Sequence, residues 1–197
     1  MEIISKNEAY RLIKENSVLQ GNNNQNVVIF DLDDTIVITD AKIKVVDGES
    51  GKIIKKMTPA EFNQYERSPA HVLSFEDFEN PEILNQGKII HSTFRLLKRF
   101  YRRGIPIAIV TARSNSGMIK DFFHTKGIDI HRDLVIAVND PQYGYTGRVE
   151  EKKQQAMLEI IDKGFKFVYF FDDHLKNLKA AKELERLRDV SVSTVKV

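Results

Sequence analysis

Apolar residues gather in short unbroken runs at residues 27–30, 106–110, 134–138 and 167–171, with a weaker one at 190–197. Runs of this length without alternation suit strands buried on both faces, as in a parallel sheet. Between most of them the spacing changes to that of an amphipathic helix. Residues 89–103 carry a basic last turn and stop at Gly104, 116–126 stop at Gly127, and 150–163 stop at Gly164. Glycine ends a helix because it enters the left-handed conformation at little cost. A further helix is expected over 175–188, where Leu175, Leu178, Ala181, Leu184 and Leu187 recur at helical spacing. Strands alternating with helices predict right-handed crossovers and an α/β core of three layers, a parallel sheet between helices.

Two segments stand outside this alternation. Near the N-terminus Ser5 and Glu8 form a capping box, and Ala9, Leu12 and Ile13 supply one apolar face, so a helix is expected over 5–19. It runs into Gly21-Asn22-Asn23-Asn24, a polar stretch that reads as a linker. Residues 1–24 are thus a helix and linker, and 25–197 the main body. Between the first two core strands, residues 42–47 and 52–57 flank Gly48-Glu49-Ser50-Gly51, a β-hairpin pattern. Thr58-Pro59-Ala60-Glu61 follows as a second capping box with proline at the first helical position. The rest, to Gln86, reads as a short helix and loop. The insertion, about 40–86, is expected to be a small lid and not a separate domain.

Composition narrows the class. A chain of 197 residues, 42% hydrophobic and 29% charged, can bury one sizeable core and is not the composition of a disordered chain. There is no cysteine, which excludes disulfides, thiolate zinc sites and cysteine nucleophiles. No apolar run approaches a membrane span and the N-terminus lacks a signal-peptide pattern, so a cytoplasmic protein without a membrane partner is expected. The net charge of +2 neither demands nor excludes a polyanionic partner. Two basic clusters, Lys52/Lys55/Lys56 and Lys98/Arg99/Arg102/Arg103, read as solvated faces in preference to nucleic-acid contacts.

The chemistry concentrates where strands end. Val28-Ile29-Phe30 runs into Asp31-Leu32-Asp33-Asp34-Thr35, and Val168-Tyr169-Phe170-Phe171 runs into Asp172-Asp173. Ligands of open α/β sheets bind beyond the carboxyl ends of the strands, which is where these acids fall. Clustered carboxylates repel one another, and a hard divalent cation is the commonest reason for them to coexist. The plainer alternatives are a polar turn for the first group and a helix N-cap for Asp173, which leaves Asp172 available as a ligand. In Ile107-Ala108-Ile109-Val110-Thr111-Ala112-Arg113, the Thr111 hydroxyl and the N–H groups after it stand where phosphate oxygens could be held.

Together these residues resemble the haloacid dehalogenase (HAD) superfamily of phosphotransferases. Asp31-Leu32-Asp33-Asp34-Thr35 is similar to its first motif, DxDx[TV], Thr111 to the second, Lys152 or Lys153 to the third-motif lysine, and Asp172-Asp173 to the acidic fourth. The resemblance spans roughly residues 27–178 and implies a Rossmann-like core whose first strand lies between those ending in Thr111 and Asp172. It also implies roles. Asp31 would be the nucleophile, and Asp33 the acid that protonates the leaving oxygen and then the base that deprotonates water. Magnesium (Mg2+) would be held by Asp31, the Asp33 backbone carbonyl and Asp172, with Asp173 as a supplement. Some relatives carry a further acid near the place of Asn177. Between the lysines, helical period favours Lys153, three and four residues before the inward-facing Ala156 and Met157. Thr111, Ala112 and Arg113 would bind substrate, Arg113 either as a second anion contact or as an exposed structural residue. His174 is assigned no catalytic role.

The expected activity is therefore Mg-dependent phosphomonoester hydrolysis through an aspartyl-phosphate. A small lid would leave the site open, and Val110-Thr111-Ala112-Arg113 bears a loose likeness to polynucleotide phosphatase domains, so a nucleotide or nucleic-acid end is the first substrate class. A phosphotransferase or mutase acting on a small metabolite, and a non-catalytic binding module of the same fold, are the alternatives.

Overall fold

The computed structural model describes residues 3–19, 25–62, 64–66 and 68–197. In chain order the elements are α1 (Lys6–Leu19), β1 (Asn26–Phe30), β2 (Val37–Ile38), β3 (Ile43–Asp47), β4 (Ile53–Met57), α2 (Pro59–Phe62), β5 (His71–Ser74), α3 (Pro81–Gln86) and β6 (Lys88–Ile89). There follow α4 (His91–Arg102), β7 (Ile107–Thr111), α5 (Ser116–Thr125), β8 (Val135–Ala137), α6 (Val149–Ile161), β9 (Phe167–Asp172), α7 (Leu175–Lys182), α8 (Leu184–Leu187) and β10 (Ser191–Lys196). The linker expected at residues 21–24 lies outside the described residues. Two compact units result, one of Met1–Ile38 with Lys88–Val197 and one of Thr39–Gly87.

The larger unit is built on a five-stranded sheet in the order β10-β9-β1-β7-β8, every pair parallel. All residues of β1 and β7 are buried, as the unbroken apolar runs require. Alternate side chains then serve opposite faces. Val27, Ile29, Ala108, Val110 and Phe170 pack with Ala156, Met157 and Ile160 of α6 and Leu178 and Ala181 of α7. On the other face Phe30 and Phe171 stack with centroids 4.7 Å apart, a contact that adds about 1 kcal/mol beyond its buried area. From β1 the chain winds through β7 to β8 in one direction, then returns past β1 to β9 and β10. The winding therefore switches between β1 and β9, whose carboxyl ends flank the crevice where such sheets bind ligands.

The N-terminal helix packs on this core. Ala9 and Ile13 are fully buried, and the Asn16 amide donates to the Tyr169 hydroxyl at 2.6 Å. Its start is capped as expected, the Glu8 N–H donating to Ser5 Oγ at 3.1 Å. The basic cluster on α4 is bound up with the same packing. Arg99 and Arg103 lie over the Tyr10 ring at 5.7 and 5.1 Å, and Lys98 lies over Phe94 at 5.0 Å. One expected helix is divided. The segment 175–188 bends at Glu183 into α7 and α8, where Lys182 donates to the Val192 carbonyl and the Glu185 carboxylate accepts from the Val192 N–H. Leu178, Ala181 and Leu184 are buried, whereas Leu175 and Leu187 are exposed.

The smaller unit holds a three-stranded antiparallel sheet, β4-β3-β5. The hairpin of β3 and β4 is the one read from the sequence. The third strand, β5, corrects the expectation of only a helix and loop after the hairpin. None of its four residues is buried, so it carries no burial pattern to read, and it is held through backbone pairing with β3. One face buries Ile43, Val45 and Met57, with Phe62, Tyr65, Leu73 and Phe78 packed against them. The Thr58–Glu61 capping box forms in both directions, with Thr58 N to Glu61 Oε2 at 2.7 Å and Glu61 N to Thr58 Oγ1 at 3.2 Å. Among the described residues no helix is long and apolar enough to cross a membrane.

Candidate active site

The first acidic stretch is shaped by backbone. Asp31 follows β1 directly, and its N–H still donates to the Phe171 carbonyl at 2.9 Å, keeping it in line with the sheet. The chain then folds back on Leu32, whose carbonyl accepts from the N–H groups of Ile36 and Val37 at 2.8 and 3.1 Å. Asp34 takes φ +56°, the one positive φ outside glycine among the described residues. Aspartate tolerates that left-handed geometry better than most side chains. The turn keeps Asp31 buried and Asp33 at the rim. On the neighbouring strand Asp172 is the last residue of β9 and wholly buried.

A buried lysine joins the two strands. Lys153 Nζ donates to Asp31 Oδ1 at 2.7 Å and to Asp172 Oδ2 at 2.8 Å. It reaches them from α6, on the inward stripe that also carries Ala156, Met157 and Ile160. Asp172 is fixed further by the His174 N–H at 2.7 Å and by the Asn177 amide, 3.0 and 2.9 Å from its two oxygens. Asp173 is half-buried, and one oxygen each from Asp31, Asp172 and Asp173 lie within 4.8 Å of one another.

Three carboxylates thus converge on one ammonium. Burial pushes the Asp31 carboxyl well above the usual carboxylate range; Lys153 opposes the rise and Asp172 adds to it. Asp173 is raised by burial, then by Asp172 and Asp34. Burial alone would lower the Lys153 ammonium, but Asp31 and Asp172 more than offset it, leaving the lysine above its ordinary value. Fully ionised, the three carboxylates would carry more negative charge than the one ammonium balances. The cluster's donors are hard oxygens, with no histidine or cysteine among them, and they suit a hard divalent cation.

No family model matches the chain, and no curated protein does. Among solved structures it is similar to the crystal structure of a HAD-superfamily hydrolase from Ehrlichia chaffeensis, with 17% identity, 86% of each chain covered and a TM-score of 0.41.

At the end of β7 the structure revises the expectations for the loop. Thr111 is buried as the last residue of that strand. The carbonyls of Thr111, Ala112 and Arg113 accept in turn from Val138 N at 2.8 Å, Asn139 Nδ2 at 2.6 Å and Asn139 N at 3.1 Å. All three are tied to the segment after β8, and the Ala112 N–H meets no acceptor among the described residues. Arg113 is not an exposed arginine. It is 2% exposed, and its fork grips Asp33, Nε to Oδ2 at 2.9 Å and Nη2 to Oδ1 at 2.7 Å. Burial of the guanidinium requires such a partner.

Of the two lysines, Lys153 enters the cluster, while Lys152 donates to Asn139 Oδ1 at 2.8 Å. The helix after Asp173 begins after His174, so Asp173 is not its N-cap. His174 itself is exposed. Asn177, marked in the sequence only by its place, proves to be a clamp on Asp172. Asn139 was not foreseen; its one signal is a polar residue directly after a buried strand run, at the same sheet edge as Thr111.

Proposed function

We propose that this chain is a magnesium-dependent phosphomonoester hydrolase of the haloacid dehalogenase type, with Asp31 as its nucleophile. The observation that carries this reading is the Lys153 ammonium bonded to both Asp31 and Asp172 across β1 and β9. It holds a buried carboxylate at the crevice of the sheet, beside a second carboxylate and an oxygen-donor cluster. Lys153 engages Asp31 Oδ1, and Asp31 Oδ2 makes no hydrogen bond among the described residues.

In the first half-step an Asp31 oxygen bonds to phosphorus while the ester P–O bond breaks, and Asp33 gives its proton to the leaving oxygen. In the second, water attacks the phosphorus, Asp33 takes a proton from it, and the Asp31–phosphorus bond breaks to release phosphate. The Thr111 hydroxyl and the Ala112 N–H hold the phosphoryl oxygens. Asp31, the Asp33 carbonyl, Asp172 and Asp173 would hold magnesium, which when bound supplies positive charge against those oxygens. Lys153 and Asn177 fix the two buried carboxylates throughout.

The substrate class we favour is a nucleotide or a nucleic-acid end, on the loose likeness of Val110-Thr111-Ala112-Arg113 to polynucleotide phosphatase domains. The test is release of inorganic phosphate from nucleotides, sugar phosphates, phosphopeptides and DNA or RNA ends, with and without magnesium. Turnover should require the metal and vanish in Asp31→Asn. Equal, background-level release by wild type and that variant across the panel would overturn the reading.

A further inference from the structure

The geometry points to Arg113 as the positioning residue for Asp33, its guanidinium fork setting the carboxylate for proton transfer to the leaving oxygen. This rests on the hydrolase reading above and goes beyond it, since that reading gives Arg113 no part in the proton transfer.

Arg113 and Asp33 are buried to unequal depths. The Arg113 side chain is 1% exposed, whereas that of Asp33 is 25% exposed. A carboxylate at that depth can be solvated without a partner; a guanidinium buried so fully cannot. Bonding both oxygens also fixes the plane of the carboxylate, which a single contact would not. An ionised carboxylate offers about four lone-pair sites, and the fork occupies one on each oxygen. One site on each oxygen is left for the travelling proton.

The arginine is itself held. Its carbonyl accepts from Asn139 N at 3.1 Å, and its N–H donates to Thr111 Oγ1 at 3.4 Å. Receiving that bond leaves the Thr111 hydroxyl hydrogen free to donate to a phosphoryl oxygen. The same three-residue loop thus faces the phosphate with Thr111 and Ala112 and steadies the acid with Arg113. Lysine could keep the charge at position 113 but not the fork.

The experiment compares two esters in single-turnover release of the alcohol, which reads the first half-step alone, with enzyme and magnesium in excess. 4-Nitrophenyl phosphate expels a stable phenolate and needs little protonation, whereas benzyl phosphate expels an alkoxide that needs a proton. Asp33→Asn sets the benchmark, expected to slow the benzyl ester by about 100-fold or more and the nitrophenyl ester far less. Arg113→Gln and Arg113→Lys are each expected to slow the benzyl ester at least about tenfold more than the nitrophenyl ester. If Arg113→Gln does not fold, Arg113→Lys carries the comparison, since it keeps the buried charge. Equal slowing of both esters, or full rescue by lysine, would overturn the inference while leaving the hydrolase reading intact. Failure of the wild type to release either alcohol would remove the hydrolase reading and this inference with it.

Discussion

Lys152 and Lys153 are chain neighbours on one helix, yet their side chains meet different partners. Lys153 is buried between Asp31 and Asp172, and Lys152 braces Asn139 at the surface. Removing one member of a buried ion network leaves charge uncompensated. Lys153→Ala is therefore expected to lower stability by about 3 kcal/mol, and Lys152→Ala by less than about 0.5 kcal/mol, in denaturant melts without metal. The choice between them was legible in the sequence because helical period is a strong signal on an amphipathic segment. The grip of Arg113 on Asp33 was not, because the two are 80 positions apart and no local pattern joins them. Asp173 allows a test with a defined sign. Its folded pKa lies above its ordinary 3.8, chiefly through burial, so the ionised form is disfavoured in the folded protein. That penalty is absent below about pH 3.8 and grows as pH rises through the folded value. Asp173→Asn should then raise the melting temperature of the metal-free protein at pH 7 and leave it unchanged at pH 3.5. The same variant should lose part of the stabilisation that magnesium gives the wild type.

At the level of elements, the apolar runs located the five strands of the main sheet to within a few residues, because burial on both faces leaves an unbroken signature. The place of β1 between β7 and β9 followed from the resemblance, not from periodicity. What escaped was structure held by backbone or by polar side chains. β5 has no buried residue, and the bend between α7 and α8 depends on Lys182 and Glu185 reaching Val192. The loop after β7 belongs to the same class. Its three carbonyls are tied down by Val138 and Asn139, contacts between strand ends that only the folded sheet brings together. Asn139→Ala removes the amide bond to the Ala112 carbonyl and the acceptor for Lys152, and it should let the Ala112 N–H drift from its aim. The expected result is a KM for 4-nitrophenyl phosphate raised about three- to tenfold with little change in kcat, since ground state and transition state lose the same contact. A fall in kcat at constant KM would assign Asn139 to the chemical step instead.

Considered as a whole molecule, the residues proposed for the chemistry fall in one unit. Asp31, Asp33, Thr111, Arg113, Lys153, Asp172 and Asp173 all belong to the unit of Met1–Ile38 and Lys88–Val197. The other unit, Thr39–Gly87, has its own sheet and its own apolar cluster. The points where the chain leaves and re-enters the larger unit are paired, Ile38 opposite Lys88 in the antiparallel ladder of β2 and β6. Opposed residues in such a ladder have Cα atoms roughly 4.5–5.5 Å apart, a gap that a two-residue type I′ turn closes. Replacing Thr39–Gly87 with Asn-Gly should therefore convert β2 and β6 into a simple hairpin and leave the parallel sheet, α1 and the acidic cluster in place. The shortened protein is expected to unfold in a single cooperative transition and to retain 4-nitrophenyl phosphate turnover within about tenfold of the full chain, because every residue assigned to the chemistry is still present. Loss of cooperative folding would show that the smaller unit stabilises the sheet. Retained folding with lost turnover of the small ester would show instead that Thr39–Gly87 supplies a group to the reaction itself.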